Sequence, residues 1–254
     1  MGKPAAQNDD ALLEARLRDA VRLSEEKCFA HFAGFLDERE ALFAEKLMKK
    51  LGIKNYMLWG GYDGSERVVF GVFPEFLELD TESYPIASVT ASYRACDTLT
   101  HRDFLGAFLA AGIKRETLGD ILVGEGRTVL FVREEIADFL CTEISKAGRV
   151  GIKLSKGCEE PLPEVHQFEE FFSVIASARL DCAVAAVLGT SREKASAAIR
   201  SGLVMLNHEE TDSVSLTVAD GDKISIRGKG RFILDSVGPP TKKGRLKLAG
   251  RKYI

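Results

Sequence analysis

Apolar positions recur at helical spacing in two stretches near the start of the chain. Asp10 to Val21 and Asp37 to Leu51 both carry the pattern, with Leu42, Leu47 and Leu51 among the apolar positions and Gly52 as the expected stop. Tyr56 to Gly60 and Arg67 to Phe73, joined through Gly61-Tyr62-Asp63-Gly64, read as a hairpin. Together these predict a small α+β unit over residues 1–76, with Pro74 and the acidic loop Glu75 to Glu82 as its boundary. From Ile86 the order is strand (Ile86 to Tyr93), helix (Thr100 to Ala111), two short strands (Gly119 to Val123, Thr128 to Val132), helix (Glu134 to Lys146) and strand (Val150 to Leu154). That is a β-α-β-β-α-β order, so a ferredoxin-like, RRM-like domain is expected over residues 83–160. An aromatic RNA platform on its third strand is not expected, because Gly126-Arg127-Thr128-Val129-Leu130-Phe131-Val132 lacks most of the residues one needs.

A different pattern begins near Ser177. That serine is placed to cap a helix with Leu180, Val184, Val187 and Leu188 on its apolar face and Gly189 after its end. Ser191 is placed to cap a second helix whose Ala195, Ala198 and Ile199 face a core while Arg192, Ser196 and Arg200 line another face. The two arginines are then roughly 12 Å apart along the axis, a spacing suited to separate phosphates. Gly202 turns the chain into a strand from Leu203 to Asn207, and Ala219-Asp220-Gly221 turns it into another in which Ile224 and Ile226 point inward while Lys223, Ser225 and Arg227 face out. This predicts a compact domain over 173–237, followed by a tail, 238–254, rich in Gly, Pro and Lys and expected to be basic and flexible until RNA neutralises it. The whole chain is thus predicted to be α+β in class.

Charge separates the same regions. From Arg179 to the end there are fourteen Lys and Arg against eight Asp and Glu, a net of +6, whereas the chain as a whole is −3 and the part before Arg179 is therefore −9. A basic end joined to an acidic body points to a polyanionic partner for the basic end alone. Five scattered cysteines without a C-x-x-C pair fit reduced thiols in a cytoplasmic protein. No apolar run approaches the roughly 20 residues a membrane span needs, and the first ten residues resemble neither a secretory signal nor a transit peptide.

The run Arg179-Leu180-Asp181, Gly189 to Ala195, Ile199 to Asn207 and Asp220 to Arg231 resembles an S4 RNA-binding domain. Carried over residue by residue, the resemblance implies RNA contact at Arg179, Ser191, Arg192, Lys194, Arg200 and Asn207, with Arg227, Lys229 and Arg231 as a second basic edge. Each has a plainer reading: Arg179 pairs with Asp181 or Glu193, Ser191 is only a cap, and Asn207 serves only a turn. The sequence also departs from the S4 pattern. Met205 stands where many such domains have a basic residue, and His208-Glu209-Glu210 replaces a Gly-Lys pair with carboxylates that repel phosphate.

A more specific resemblance extends over nearly the whole chain. Leu99-Thr100-His101-Arg102-Asp103-Phe104-Leu105-Gly106-Ala107, then Gly112-Ile113-Lys114-Arg115 and Gly119-Asp120-Ile121, is similar to the middle domain of the YlmH family of S4-domain proteins. Phe35-Leu36-Asp37-Glu38-Arg39-Glu40 is similar to that family's N-terminal signature, without the proline expected near Glu38. The resemblance implies a non-enzymatic factor that binds ribosomal RNA and tRNA on the large ribosomal subunit when synthesis stalls. It also suggests a second RNA surface at His101, Arg102, Lys114 and Arg115.

The alternative is an S4-bearing RNA-modifying enzyme related to pseudouridine synthases or aminoacyl-tRNA synthetases. Lys153-Leu154-Ser155-Lys156-Gly157 resembles a synthetase lysine loop and His31-Phe32-Ala33-Gly34 echoes its histidine motif, yet the segment between them does not alternate as a nucleotide-binding parallel sheet does. The Asp181 of Arg179-Leu180-Asp181 lies inside the S4-like run rather than in a separate catalytic domain. Gly124-Glu125-Gly126 suits a hairpin turn better than a nucleotide loop. The histidines His31, His101, His166 and His208 have neither metal-ligand spacing nor an accompanying acid and nucleophile. No catalytic residue, metal, cofactor or small-molecule substrate is expected.

Overall fold

The computed structural model describes residues 4–164, 168–241 and 244–253, which fall into two compact units, Met1–Val165 and His166–Ile254. His166 itself lies outside the described residues.

In the first unit, α1 (Pro4–Lys27) is longer than the apolar spacing predicts. Its exposed side is laced by Arg18–Glu14 and Arg22–Glu26 ion pairs one turn apart, which support helix where no core does. β1 (His31–Leu36) is a strand the hydrophobic pattern did not reveal. Its six residues carry no clean alternation, and it is held by pairing with β3. α2 (Glu38–Leu51) starts at a reciprocal cap: the Glu40 N–H donates to the Asp37 carboxylate at 2.9 Å and the Asp37 N–H to the Glu40 carboxylate at 2.8 Å. It ends at Gly52 with φ of 73°. β2 (Tyr56–Trp59) and β3 (Val68–Val72) complete an antiparallel sheet in the order β1-β3-β2, against which Leu13, Leu17, Leu47 and Met48 of the helices pack.

The chain continues through β4 (Ile86–Ser92), α3 (His101–Ala110), β5 (Leu118–Val123), β6 (Arg127–Arg133) and α4 (Glu134–Glu143). β7 (Lys146–Ala147) and β8 (Val150–Gly151) form a small ribbon turned by Gly148, and β9 (Lys153–Lys156) follows. The last helix therefore stops at Glu143, short of Lys146, and the last strand starts at Lys153 rather than Val150, because Lys146, Ala147, Val150 and Gly151 are spent on the ribbon. The sheet is antiparallel in the order β5-β6-β4-β9.

Its two faces are both covered. Val89, Leu130 and Val132 meet Phe104, Phe108 and Leu140 of the helices. On the other face Leu122, Val129 and Phe131 pack with Phe35, Val69 and Phe73, and the Phe131 ring stacks on Tyr62 at 4.8 Å between centroids. The regions expected as separate domains at 1–76 and 83–160 thus share a core and form one unit. The sheet surface on which an RRM-like domain stacks bases is buried under the N-terminal strands.

A polar knot fastens this junction. Asp120, 7% exposed, accepts from the Tyr62 hydroxyl at 2.8 Å and from the N–H groups of Glu66 at 2.8 Å and Arg67 at 3.1 Å. The Arg67 guanidinium in turn donates to the carbonyls of Leu118 at 2.9 Å and Phe35 at 3.0 Å. Gly119 belongs to the same junction: a Cβ there would lie 2.6 Å from the Phe35 ring and 2.9 Å from the Phe131 carbonyl.

The second unit begins with β10 (Phe168–Ile175), earlier than residue 173, and then forms α5 (Leu180–Val187), α6 (Arg192–Arg200), β11 (Val204–Leu206), β12 (Glu209–Glu210), β13 (Lys223–Ile226), β14 (Gly230–Pro240) and β15 (Leu246–Tyr253). Its sheet is antiparallel in the order β10-β15-β14-β13-β11-β12. The segment expected to be a flexible basic tail is thus largely strand, and β15 lies between β10 and β14. Leu246 and Leu248 alternate inward with Lys247 pointing out, and Leu248 is fully buried. Gly250 permits the pairing, since a Cβ there would run into the Ile233 carbonyl and the Phe171 ring. α5 and α6 close one face of the sheet over Leu180, Val184, Ile199, Ile224, Phe232 and Leu234.

Candidate nucleic-acid interface

The two helices of the second unit place the S4-like residues. Ser191 caps α6, its hydroxyl oxygen accepting from the Lys194 N–H at 3.3 Å. Ser177 does not cap α5: the cap position is Arg179, and the Ser177 hydroxyl instead lies 3.6 Å from the Cys182 sulfur. Residues 178–180 are held by the neighbouring loop, with the Leu180 N–H donating to the Leu216 carbonyl at 2.8 Å, which moves the helix start downstream.

Arg179 and Arg192 converge on one carboxylate. Asp181, whose side chain is 4% exposed, accepts from Arg179 Nε at 3.1 Å and from Arg192 Nη2 at 2.6 Å. Burial pushes this carboxyl up, but the hydrogen bonds from Arg179 and Arg192 prevail and hold it below the usual carboxylate range. Both arginines remain about half exposed, so each guanidinium keeps donors toward solvent while part of it is held by Asp181. Asp181 was not a candidate in the sequence, yet it sets the position of two that were.

Asn207 is tied into the turn. Its backbone is left-handed, with φ of 49°, its amide donates to Asp222 at 2.9 Å, and its carbonyl oxygen accepts from the Lys223 N–H at 2.9 Å. That geometry satisfies the plainer reading of Asn207 as a turn residue.

A basic corner forms at the other end of α6. Arg200, in the last helical turn, leads through Gly202 to Leu203, whose carbonyl accepts from the Arg227 N–H at 2.9 Å. Arg227, Lys229 and Arg231 occupy the hairpin between β13 and β14 and are exposed. Leu203, Met205, Ser225, Arg227 and Arg231 line a cavity of about 330 Å³ between these loops. Met205 thus contributes apolar wall where a basic residue is common in S4 domains. Glu209 and Glu210 form the far edge strand beyond β11, on the opposite side of the sheet from β10.

The second set of candidates sits at the start of α3 and in the 3-10 turn before β5. Thr100 caps α3 and its N–H donates to the Asp103 carboxylate at 2.8 Å. Arg102 and Lys114 are exposed. Arg115 is partly withdrawn: its guanidinium donates to the Leu118 carbonyl at 3.0 Å, and desolvation followed by repulsion from Arg67 lowers its pKa to about 10. Desolvation and then the Arg115 charge hold the His101 imidazole below its ordinary value. Of these four side chains, Arg102 and Lys114 present charge freely to a phosphate.

Among the described residues no cluster of three or more His, Cys, Asp or Glu is arranged to hold a metal. No helix among them is long and apolar enough to cross a membrane. An antiparallel sheet backed by two helices, with basic side chains at the helix ends and on a hairpin, is an architecture suited to a structured polyanion.

Comparison with known proteins agrees with the resemblance read from the sequence. Residues 81–159 match the family described as "Putative RNA-binding domain in YlmH". A relative from Bacillus subtilis (strain 168), named ribosome-associated protein quality control protein P2, is 29% identical over 232 residues, 89% of each chain. A solved structure, the cell division protein ylmH from Streptococcus pneumoniae, matches with a TM-score of 0.52 at 18% identity, over 59% of this chain and 92% of that one. Similarity to the B. subtilis relative extends over nearly the whole chain, the match to the YlmH RNA-binding domain lies within it at residues 81–159, and the fold is shared with a solved YlmH structure over more than half of the chain.

Proposed function

We propose that this protein is an RNA-binding factor without catalytic activity that works on the large ribosomal subunit, contacting ribosomal RNA and tRNA in rescue or quality control of stalled translation. The observation that carries the reading is the gathering of Arg200, Arg227, Lys229 and Arg231 at one corner of a unit with fourteen basic and ten acidic residues, net +4, in a chain whose remainder is −7. The C-terminal unit acts in this reading as an S4 domain lengthened by β10 and β15. The name of the B. subtilis relative and the family matched by residues 81–159 support the ribosome and RNA parts of it.

Phosphate contacts give affinity but do not choose a partner. A second, weaker surface at Arg102 and Lys114 supplies the choice, because two linked sites bind together only where both targets are correctly spaced. Gradient co-sedimentation with purified subunits tests this. The protein is expected with the large subunit, most strongly when a tRNA remains after a stall. Arg102→Ala with Lys114→Ala is expected to reduce that tRNA-dependent preference about tenfold while affinity for a bare RNA hairpin survives. Association with the small subunit alone, or turnover of an RNA substrate, contradicts the proposal.

A further inference from the structure

The face of the second unit's sheet that α5 and α6 leave open carries an aromatic and basic surface that meets the corner described above only at Arg231. Register fixes which side chains share it. Phe168 and Phe172 on β10 point the same way as Tyr253 and Ala249, their partners on β15, while Phe171 and Ile175 point to the core. Phe172 is 78% exposed, and Val174, two residues on, also faces solvent. The Phe168 and Tyr253 rings lie 5.0 Å apart. Arg251 sits over the Phe168 ring at 4.9 Å and Arg231 over the Tyr253 ring at 4.4 Å, so a guanidinium lies over each ring.

Exposed aromatic rings on a sheet invite three kinds of cover: a second copy of the chain, another protein, or unpaired bases. Charge decides among them. Lys223, Arg231, Lys247 and Arg251 belong to this face by register, against Glu170, Asp235, which Arg251 holds at 2.8 Å, and Glu210 at the far edge strand. An apolar partner would leave Arg231 and Lys247 in the contact, whereas a strand of nucleic acid uses rings for bases and cations for phosphates. Glu170, between Phe168 and Phe172 and beside Arg251, keeps phosphate off the middle of the face and directs it to the Lys247 and Arg231 margins.

We propose that the open face of β10 and β15 is a stacking platform for an unpaired RNA segment, with Phe172 as the ring that takes a base and Arg231, Lys247 and Arg251 flanking the backbone. It is the kind of platform an RRM-like sheet offers, which in this chain is buried in the first unit and reappears on the second. The inference goes beyond the proposed function, since it assigns a single-stranded target to a surface that shares only Arg231 with the basic corner.

Binding of the full chain to a labelled oligouridylate of about a dozen nucleotides, and separately to a closed RNA hairpin, tests it by fluorescence anisotropy. Phe172→Ala is expected to weaken oligouridylate binding by about five- to a hundredfold, Phe172→Trp to preserve it, and neither to change hairpin binding more than about twofold. Because Phe172 is exposed, both variants keep the fold. Arg200→Glu gives the opposite pattern, so loss of hairpin binding alone bears on the basic corner and leaves the platform standing. Equal oligouridylate affinity in wild type and Phe172→Ala overturns the proposal. So does a wild-type dimer in sedimentation that Phe172→Ala splits, which assigns the face to a second copy.

Discussion

Reversing Lys194 and Arg200 to glutamate is expected to weaken binding to a structured RNA about a hundredfold at physiological salt and to leave the melting temperature unchanged. Both side chains are exposed on α6, and neither is bound to the Asp181 clamp. Glutamate at position 194 also suits the helix, because the third helical position after the Ser191 cap favours a carboxylate. Arg192 is the wrong residue to reverse, although the helical spacing places it on the same stripe as Arg200. A glutamate there would face the buried Asp181 carboxylate, and lost stability would mix with lost affinity. The salt dependence separates contact from misfolding: the slope of log affinity against log salt is expected to fall by about two in the double variant. Unchanged affinity with an unchanged melting temperature removes α6 from the interface.

The largest effect on stability is expected at a residue of the first unit. Asp120→Ala leaves the Tyr62 hydroxyl and the Glu66 and Arg67 N–H groups without their acceptor in a junction that water does not reach freely. Buried donors stripped of a partner cost about 1–3 kcal/mol each, so a loss of about 3–5 kcal/mol is expected, or about 10 °C in the melting temperature of a unit this size. Electrostatics adds to it, because Asp120 offsets the mutual repulsion of Arg67 and Arg115. Asp120→Asn retains the shape and one acceptor oxygen and is expected to cost less. Calorimetry of the full chain measures both, and a melting temperature within about 2 °C of wild type for Asp120→Ala removes the knot from the stabilising contacts.

What was legible in the sequence follows from how local each signal is. α2 was readable because Asp37, Glu40 and Gly52 carry its limits in their own side chains and backbone preference. α6 was readable for the same reason through Ser191. β1 and β15 were not, since each owes its conformation to a partner strand distant in sequence, and the Gly, Pro and Lys around β15 resemble a solvated tail. The basic residues of the second unit were visible as a charge asymmetry, but their arrangement was not. Only the fold shows that Asp181 gathers Arg179 and Arg192, that Asn207 is occupied by a turn, and that Arg115 is turned inward to a carbonyl. Phe168 and Phe172 escaped notice because a Phe-rich strand reads as core until the register shows which rings face outward.

Electron cryo-microscopy of the full chain on large ribosomal subunits that retain a tRNA would show whether the basic corner meets ribosomal RNA. α6 and the hairpin between β13 and β14 are expected in density against ribosomal RNA, with Arg200, Arg227 and Lys229 at phosphates. Density that places this basic corner in solvent, with the chain held to the subunit through other surfaces, would contradict it.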